Sequence, residues 1–193
     1  LSNSYSKEEI VEFESRARKL TDADMEYVCE LKYDGVAIGI KYVNGLFQRA
    51  VTRGDGSRGE DVSANVRTIK TIPMRVRGEG FPAEFEIRGE IFFPLDGFQK
   101  LNESREQSGE PLYANPRNTA SGTLKNQDSS LVADRNLDSY VYGVYSRERI
   151  SSAHYDSVKQ AGEWGFHIPD EQKNMIRLCK SIDEIMDFIN YWD

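Results

Sequence analysis

Two short apolar runs on either side of Asn44-Gly45 place the strongest constraint on how this chain can fold. Residues 36–43 and 46–52 contain the β-branched and aromatic side chains that strands favour. An Asn-Gly pair between two such runs is typical of a two-residue hairpin turn, in which both central residues adopt positive φ. The sequence therefore predicts an antiparallel pair of strands at this point.

Periodicity and capping signals predict most of the remaining elements. Ser6–Glu9 and Ser181–Glu184 have the spacing of capping boxes at the starts of two helices. Because the predicted elements do not alternate as regular βαβ units, we expect one α+β domain over residues 1–193, with mainly antiparallel sheets and flanking helices. Helices are predicted at 7–20, 61–69, 94–106, 115–125, 153–164 and 182–192, and further strands at 27–33, 84–93 and 138–146.

Composition narrows the class of protein. Hydrophobic residues make up 38% of the chain and charged residues 30%, as in ordinary globular proteins. No apolar run approaches the roughly 20 residues that cross a bilayer, so no membrane partner is expected. Two separated cysteines and two histidines predict neither a disulfide framework nor a zinc site. Residues 1–5 lack an initiator methionine and a signal peptide, so we expect a fragment of a longer cytoplasmic protein.

The formal net charge of −7 bears on nucleic-acid binding. A protein that grips DNA by itself usually has a basic surface, because contacts to phosphates supply most of the affinity. If this chain works on DNA, other domains must do much of the holding. Composition alone favours an acidic interaction domain that never meets nucleic acid.

An acid–base–acid pattern occurs at Glu30, Lys32 and Asp34. On the strand predicted at 27–33, alternate side chains share a face, so these three would lie together with apolar side chains behind them. Such a face suits the wall of a polar pocket. It is equally compatible with a solvated ladder of charges, and the segment alone does not separate the two interpretations.

Residues 32–35 read Lys-Tyr-Asp-Gly, which fits the KxDG motif of the covalent nucleotidyltransferases, the class of DNA and RNA ligases and mRNA capping enzymes. KxDG alone is a weak signal because four loosely specified residues recur by chance. The continuation is more specific: TRGDG at 52–56, GEDV at 59–62, NVRTI at 65–69, EIRGE at 86–90, ANPRNTASG at 114–122 and YG at 142–143. In this order the segments resemble the adenylation domain of bacterial NAD⁺-dependent DNA ligases, and they cover most of residues 1–146.

The resemblance implies a covalent nucleotidyltransferase fold, similar to ATP-grasp proteins, and a specific chemistry. A lysine amine attacks NAD⁺, releases nicotinamide mononucleotide (NMN) and retains AMP. The AMP then passes to the 5′-phosphate of nicked double-stranded DNA, and the 3′-hydroxyl displaces it, as DNA replication and repair require. A lysine is normally protonated, so its site must supply desolvation or positive charge, which the family obtains from Mg²⁺ and further lysines.

The resemblance also implies roles for individual residues. Glu30 would meet the edge of adenine, Tyr142 would stack on it, and Arg53 would contact the nucleotide. On local sequence Tyr142 is equally well explained as a core strand residue. Lys125 stands where family members usually carry Arg, so the charge is kept and the bidentate fork is lost. The implied catalytic residues are Lys32 and Asp34; the nucleotide-binding residues are Leu1, Glu30, Lys32, Arg53, Glu90 and Tyr142; the metal contact is Glu90; the DNA contacts are Arg117 and Lys125.

Several parts of the family pattern lie outside these 193 residues. They are the N-terminal NMN-binding module, the later catalytic lysines, and the OB, zinc-binding, helix-hairpin-helix and BRCT domains; Zn²⁺ would belong to one of them. We therefore expect a monomeric chain that binds adenine nucleotides weakly and adenylates itself poorly or not at all. Two alternatives remain open, a nucleotide-binding module without turnover and an ATP-dependent ligase or capping enzyme.

Overall fold

The computed structural model describes residues 3–54, 56, 58–148 and 150–193. The described residues divide into two compact units, Lys32–Pro169 and a smaller unit of Asp170–Asp193 with the residues up to Leu31. Both sheets are antiparallel, which confirms the predicted α+β class. In chain order the elements are α1 (Lys7–Arg18), β1 (Tyr27–Glu30), β2 (Val36–Val43), β3 (Leu46–Thr52), α2 (Ser63–Val66), β4 (Glu84–Phe92), α3 (Leu95–Gln107), α4 (Pro116–Leu124), α5 (Ser129–Asp134), β5 (Asp138–Tyr145), α6 (His154–Glu163), β6 (Ile176–Cys179) and α7 (Ile182–Trp192).

The predicted hairpin is confirmed. Asn44 and Gly45 have φ values of 48° and 72°, and β2 pairs with β3 from Val43↔Leu46 to Ile38↔Thr52. Positive φ at both central residues gives the turn a twist that matches the strands, which is why Asn and Gly suit these positions. The hairpin forms one half of a four-stranded sheet with the strand order β3-β2-β4-β5.

The two faces of this sheet differ in polarity. Along β4, Phe85, Ile87 and Ile91 are buried, whereas the residues between them include the charged Glu86, Arg88 and Glu90. The apolar face packs on helices and loops of the same unit. The core that they form together includes Ile38, Ile40, Tyr42, Ala50, Val66, Ile69, Ala120, Leu124, Val141, Ala161 and Trp164. The opposite face of the sheet therefore carries the charged side chains of β4.

The helices of the larger unit follow the sequence prediction with two exceptions. The helix predicted at 61–69 is confined to Ser63–Val66, because Asp61 bridges to Val51 and accepts a hydrogen bond from Ser63 N. The helix α5 was not predicted. Helix α4 begins as expected, with the Asn115 side chain accepting from Asn118 N and Pro116 in the first turn.

The smaller unit consists of α1, β1, β6 and α7. Ser6 accepts from Glu9 N and Ser181 accepts from Glu184 N, which confirms the first bond of each predicted capping box. The strand β6, which sequence reasoning missed, pairs antiparallel with β1. Among the described residues, no helix has the length and apolar character that crossing a membrane requires.

The strand predicted at 27–33 ends at Glu30, so that prediction was wrong at its C-terminal end. The partner strand β6 offers only four residues, and its last pair is Glu30↔Ile176. Pairing resumes at Val36, which lies opposite Ile91 in the other sheet. The intervening segment, Lys32–Gly35, is a connection between two sheets. A shared strand face for Glu30, Lys32 and Asp34 is therefore also incorrect.

Candidate active site

The segment Lys32–Gly35 lies against the backbone of β4. A Cβ atom added to Gly35 would be 2.2 Å from the carbonyl oxygen of Ile91, a distance that no side chain tolerates. The close approach lets the Gly35 N–H donate a hydrogen bond to the Glu90 carboxylate. Glycine is therefore needed here for space, and it links the segment directly to a charged residue of the sheet.

Asp34 is held from the other side by the first turn of α4. Arg117 Nη1 donates to Asp34 Oδ1 at 2.9 Å, and both side chains are more than half exposed. An exposed ion pair contributes little to stability, about 0–1 kcal/mol, so its importance is geometric. The pair places the Arg117 guanidinium close enough to Glu90 to lower the pKa of that carboxyl, which the charges of Lys32 and Asp34 also affect. Sequence reasoning connected Arg117 only with DNA and missed this contact.

The ring of Tyr33 anchors the same segment to the sheet. It stacks on Tyr140 with 4.4 Å between ring centroids, and Phe92 stacks on Tyr140 at 5.2 Å. On a further side, the His167 ring lies 4.5 Å from that of Tyr140, and its Nδ1 is 3.0 Å from Asp138 Oδ1. Offset aromatic pairs of this kind restrict ring movement. The stack was not predicted, and the alternation of aromatic residues in β5 was its one local signal.

The polar sheet face beside Glu90 has a floor of small residues. Ala37 lies opposite Glu90, and Gly39 lies opposite Arg88. Arg53 directly follows β3, and its N–H donates to the Ala37 carbonyl oxygen at 3.1 Å. These two small residues lie between charged neighbours, and the Glu86 carboxylate lies beside Gly39.

Tyr142 borders this face because of a β-bulge. The register shifts between Arg88↔Gly143 and Gly89↔Val141, which leaves Tyr142 as the extra residue of β5. Burial raises the pKa of the Tyr142 hydroxyl, and the charge of Glu90 adds to the rise while Arg88 and Arg53 oppose it. Tyr142 is thus half-buried beside these charges, and it is not in the hydrophobic core that local sequence equally allowed.

Glu90 is a carboxyl of the site whose pKa is raised above its ordinary value. Burial raises its pKa, whereas the Gly35 N–H bond and the charges of Lys32 and Arg117 lower it, and Asp34 raises it further. The net direction is upward, which means that the fold disfavours the carboxylate relative to an exposed glutamate. Lys32 itself is exposed. The described residues therefore leave its amine hydrated.

The glycine-rich segment after β3 closes back on the strand end. Thr52 N donates to Glu60 O, and Glu60 N donates to Thr52 Oγ1, both at 3.0 Å. Asp55 and Ser57 of this segment lie outside the described residues. Glu60 in turn forms an ion pair with Lys125, whose Nζ lies 2.5 Å from Glu60 Oε2. Each of the two cations expected to contact DNA, Arg117 and Lys125, is thus paired with a carboxylate of the same unit.

Two of the predicted nucleotide-binding residues, Leu1 and Glu30, precede the unit Lys32–Pro169 in the chain. Leu1 lies outside the described residues. Glu30 is the half-buried last residue of β1 in the smaller unit, opposite Ile176. The roles assigned to both remain predictions.

The residues present limit how a metal ion could be held. Within the described parts of the chain, no group of three or more His, Cys, Asp and Glu side chains is arranged as a metal site. Glu90 and Asp34 supply two carboxylates, and Asp34 is engaged by Arg117. Mg²⁺ commonly takes one or two carboxylates together with water and substrate phosphates. The site therefore fits an ion shared with a bound phosphate and does not form a complete protein cage.

Comparison with known proteins gives a consistent result. The whole chain, residues 1–193, matches the family model described as NAD-dependent DNA ligase adenylation domain. Proteins named DNA ligase align over the full chain with 49% identity in Cytophaga hutchinsonii, 50% in Phocaeicola vulgatus and 49% in Parabacteroides distasonis. In each case the chain spans 28% of the length of the relative.

Proposed function

Because the chain belongs to the NAD-dependent DNA ligase adenylation domain family, we propose that Lys32 takes up AMP from NAD⁺ in a DNA ligase. One observation carries the proposal: the segment that bears Lys32 is fixed at a charged sheet face, by Gly35 on Glu90 and by Asp34 on Arg117. Because the nucleophile is already held in place, less entropy is lost when it is aligned with a substrate.

In the proposed first step, the neutral Lys32 amine attacks the adenylyl phosphorus of NAD⁺. A P–N bond forms while the bond from that phosphorus to the bridging oxygen breaks, NMN leaves, and the amine releases a proton to solvent. The AMP then passes to the 5′-phosphate of a nick in double-stranded DNA, and the 3′-hydroxyl displaces it to seal the strand. Lysine suits the first role because its amine can be made neutral, whereas arginine stays charged.

We assign the adenosine half of the substrate to the small-residue floor beside Arg53 and Tyr142. Ala37 and Gly39 leave space for a planar base, Tyr142 supplies a ring at its border, and Arg53 follows the neighbouring strand. Leu1 and Glu30 are proposed to complete the adenine contacts. A Glu can accept from the exocyclic amine of adenine, which would favour adenine over guanine.

We propose that Mg²⁺ is required and that Glu90 helps to hold it, directly or through water. When bound, the ion would add positive charge near the phosphates and the Lys32 amine. Asp34 is proposed to act beside the nucleophile. In the full-length protein we expect Arg117 and Lys125 to face nicked DNA, and most of the affinity for DNA to come from other domains. We expect the full-length protein to be a monomer in the cytoplasm.

The isolated chain should form little or no AMP adduct with NAD⁺ and Mg²⁺. The reason is that Lys32 is exposed and the described residues leave its amine hydrated. Intact mass before and after incubation measures the adduct, with ATP in place of NAD⁺ as the parallel reaction. Efficient reaction with NAD⁺ would show that the chain needs no further segments. Reaction with ATP but not NAD⁺ would favour the alternative, an ATP-dependent nucleotidyltransferase.

Glu90→Gln should raise the Tm at neutral pH and weaken the Mg²⁺ dependence of self-adenylation in the full-length protein. Glutamine keeps an acceptor for Gly35 N–H and removes the partly buried charge. A raised pKa in the folded state costs stability above that pKa and none below the unfolded value, so the gain in Tm should vanish as the pH falls below the ordinary glutamate range. Melting curves from pH 4 to pH 8 and Mg²⁺ titrations test this.

The matched control for this prediction is Glu86→Gln, on the same face of β4, where the carboxyl is 42% exposed and pairs with Arg88. It should leave both measurements nearly unchanged. An unaltered Mg²⁺ dependence in Glu90→Gln would remove Glu90 from the metal assignment.

Lys125→Ala in the full-length protein should weaken nick binding and lower the slope of log K against log salt by about 1, as expected for one lost phosphate contact. Lys41→Ala is the matched control, because Lys41 also pairs with an exposed glutamate, Glu84, at 2.9 Å. Fluorescence anisotropy on nicked duplex over a salt series gives both slopes. Equal slopes for Lys125→Ala and the unsubstituted protein would argue against a phosphate contact by Lys125.

A further inference from the structure

Asn65 is a buried polar residue whose partners lie far away in sequence. Asn65 is 6% exposed. Its side-chain Nδ2 donates to the carbonyl oxygens of Leu124 and Asn126, each at 2.7 Å. Its Oδ1 accepts from the Ser129 hydroxyl at 2.9 Å. Both donors and the acceptor of the amide are therefore used.

These bonds satisfy groups that a helix leaves open. The last carbonyls of an α-helix have no partner within the helix, and here α4 ends at Leu124. The side chain of Asn65, which lies in α2, donates to the Leu124 carbonyl at the end of α4. The same side chain accepts from Ser129, which is the first residue of α5. One side chain thus joins the end of α4 to the start of α5.

Lys125 lies between the two carbonyl groups that Asn65 holds. The backbone on both sides of Lys125 is thereby fixed to α2, and its ammonium group reaches Glu60. Glu60 is itself fixed to the end of β3 by two hydrogen bonds with Thr52. The orientation of the Lys125 side chain is consequently determined by the buried amide of Asn65, which lies 60 residues earlier in the chain.

We propose that Asn65 is a positioning residue for DNA binding: it holds the α4–α5 turn so that Lys125 is presented to a phosphate near the nick. This rests on the proposed function, because it assumes that Lys125 contacts DNA. Asn65 touches neither DNA nor the nucleotide in this account and acts through the backbone of the turn.

A double-mutant cycle in the full-length protein tests the proposal. The variants are Asn65→Ala, Lys125→Ala and the double substitution, with nick affinity over a salt series and self-adenylation by NAD⁺ as the two readouts. We expect each single variant to weaken nick binding by roughly threefold to tenfold and to lower the salt slope by about 1. The double variant should be no weaker than Lys125→Ala, and self-adenylation by Asn65→Ala should stay within about twofold of that of the unsubstituted protein.

A purely structural role predicts a different pattern. Tyr42→Phe is the control for lost stability, since Tyr42 is fully buried and its hydroxyl donates to Pro73 O at 2.7 Å, remote in sequence from the turn. It should lower the Tm without changing the salt slope. If Asn65→Ala fails to fold, Ser129→Ala removes only the donor to Oδ1 and should shift nick binding in the same direction by less.

Four results would overturn the inference. Additive losses in the double variant, or a parallel loss of self-adenylation, would mean that Asn65 does not act through Lys125. An unchanged salt slope in Asn65→Ala would mean the same. If Lys125→Ala alone left nick binding unchanged, the DNA role of Lys125 in the proposed function would fail, and the inference with it. If Lys125→Ala weakened nick binding but Asn65→Ala did not act through it, only the inference would fail.

Discussion

Lys32→Arg in the full-length protein should abolish both the AMP adduct and the sealing of an ordinary nick. Arginine keeps the positive charge of the side chain, so ion pairing and solubility are little changed, but its guanidinium does not lose a proton in proteins and cannot attack phosphorus. Lys32 is exposed, so the substitution should leave the Tm within about 1 °C, the usual effect of a surface change. Gel-based sealing of a nicked duplex and intact mass measure the two losses.

The same variant should still seal a nick that already carries AMP on its 5′-phosphate. Once the AMP is on DNA, the remaining step is attack by the 3′-hydroxyl, and the lysine amine no longer takes part. Retained sealing of this pre-adenylated substrate therefore separates loss of the nucleophile from loss of DNA binding. If Lys32→Arg formed the adduct at the normal rate, the nucleophile would have to be another residue.

Gly35→Ala should reduce self-adenylation by at least about 100-fold, the cost that a displacement of about 1 Å carries at a reacting centre. The new Cβ would lie 2.2 Å from Ile91 O, which is backbone and cannot rotate away. The segment must then move off β4, which breaks the Gly35–Glu90 hydrogen bond and displaces Lys32. Overpacking of this kind costs about 1–3 kcal/mol of stability, so the Tm should also fall.

Gly122→Ala is the matched control for that substitution. Gly122 lies in α4, and a Cβ added there meets nothing within 4 Å. Alanine should be neutral or stabilising by about 0.5–1 kcal/mol in a helix, with self-adenylation unchanged. Rates measured by single-turnover NAD⁺ assays decide the matter. Normal activity in Gly35→Ala would show that the contact with β4 is not needed to place the nucleophile.

Local signals predicted much of the fold. The Asn44-Gly45 turn and the strands on either side follow from short-range backbone preferences, and the structure places the hairpin at the residues expected. The strand at β4 was equally clear from its alternation, and the capped helices α1 and α7 begin where Ser6 and Ser181 indicate. Each of these elements is specified by residues within about one turn of its own ends.

Elements that depend on distant partners could not be predicted in this way. β1 ends at Glu30 because β6 is short, and β6 has no pattern that distinguishes it from a loop. The pairing of Arg117 with Asp34 joins residues 83 positions apart. The bonds of Asn65 to the α4–α5 turn are similarly long-range. In each case tertiary contacts, which a local pattern does not contain, decide the geometry.

The candidate site illustrates the same division. Local chemistry left Glu30, Lys32 and Asp34 undecided between a pocket wall and a solvated ladder, and the order of the longer motifs gave the assignment. The structure then supplied what no motif states: the bulge that brings Tyr142 beside Glu90, and the guanidinium that holds Asp34. The aromatic stack around Tyr33 belongs to this second group.

The most direct test of the account is to locate the AMP. The full-length protein is incubated with NAD⁺ and Mg²⁺, digested, and its peptides are sequenced by tandem mass spectrometry under conditions that preserve phosphoramidates. We predict one AMP, attached to Lys32, with release of an equal amount of NMN. AMP on another residue, or turnover of NAD⁺ without any adduct on Lys32, would contradict the central claim.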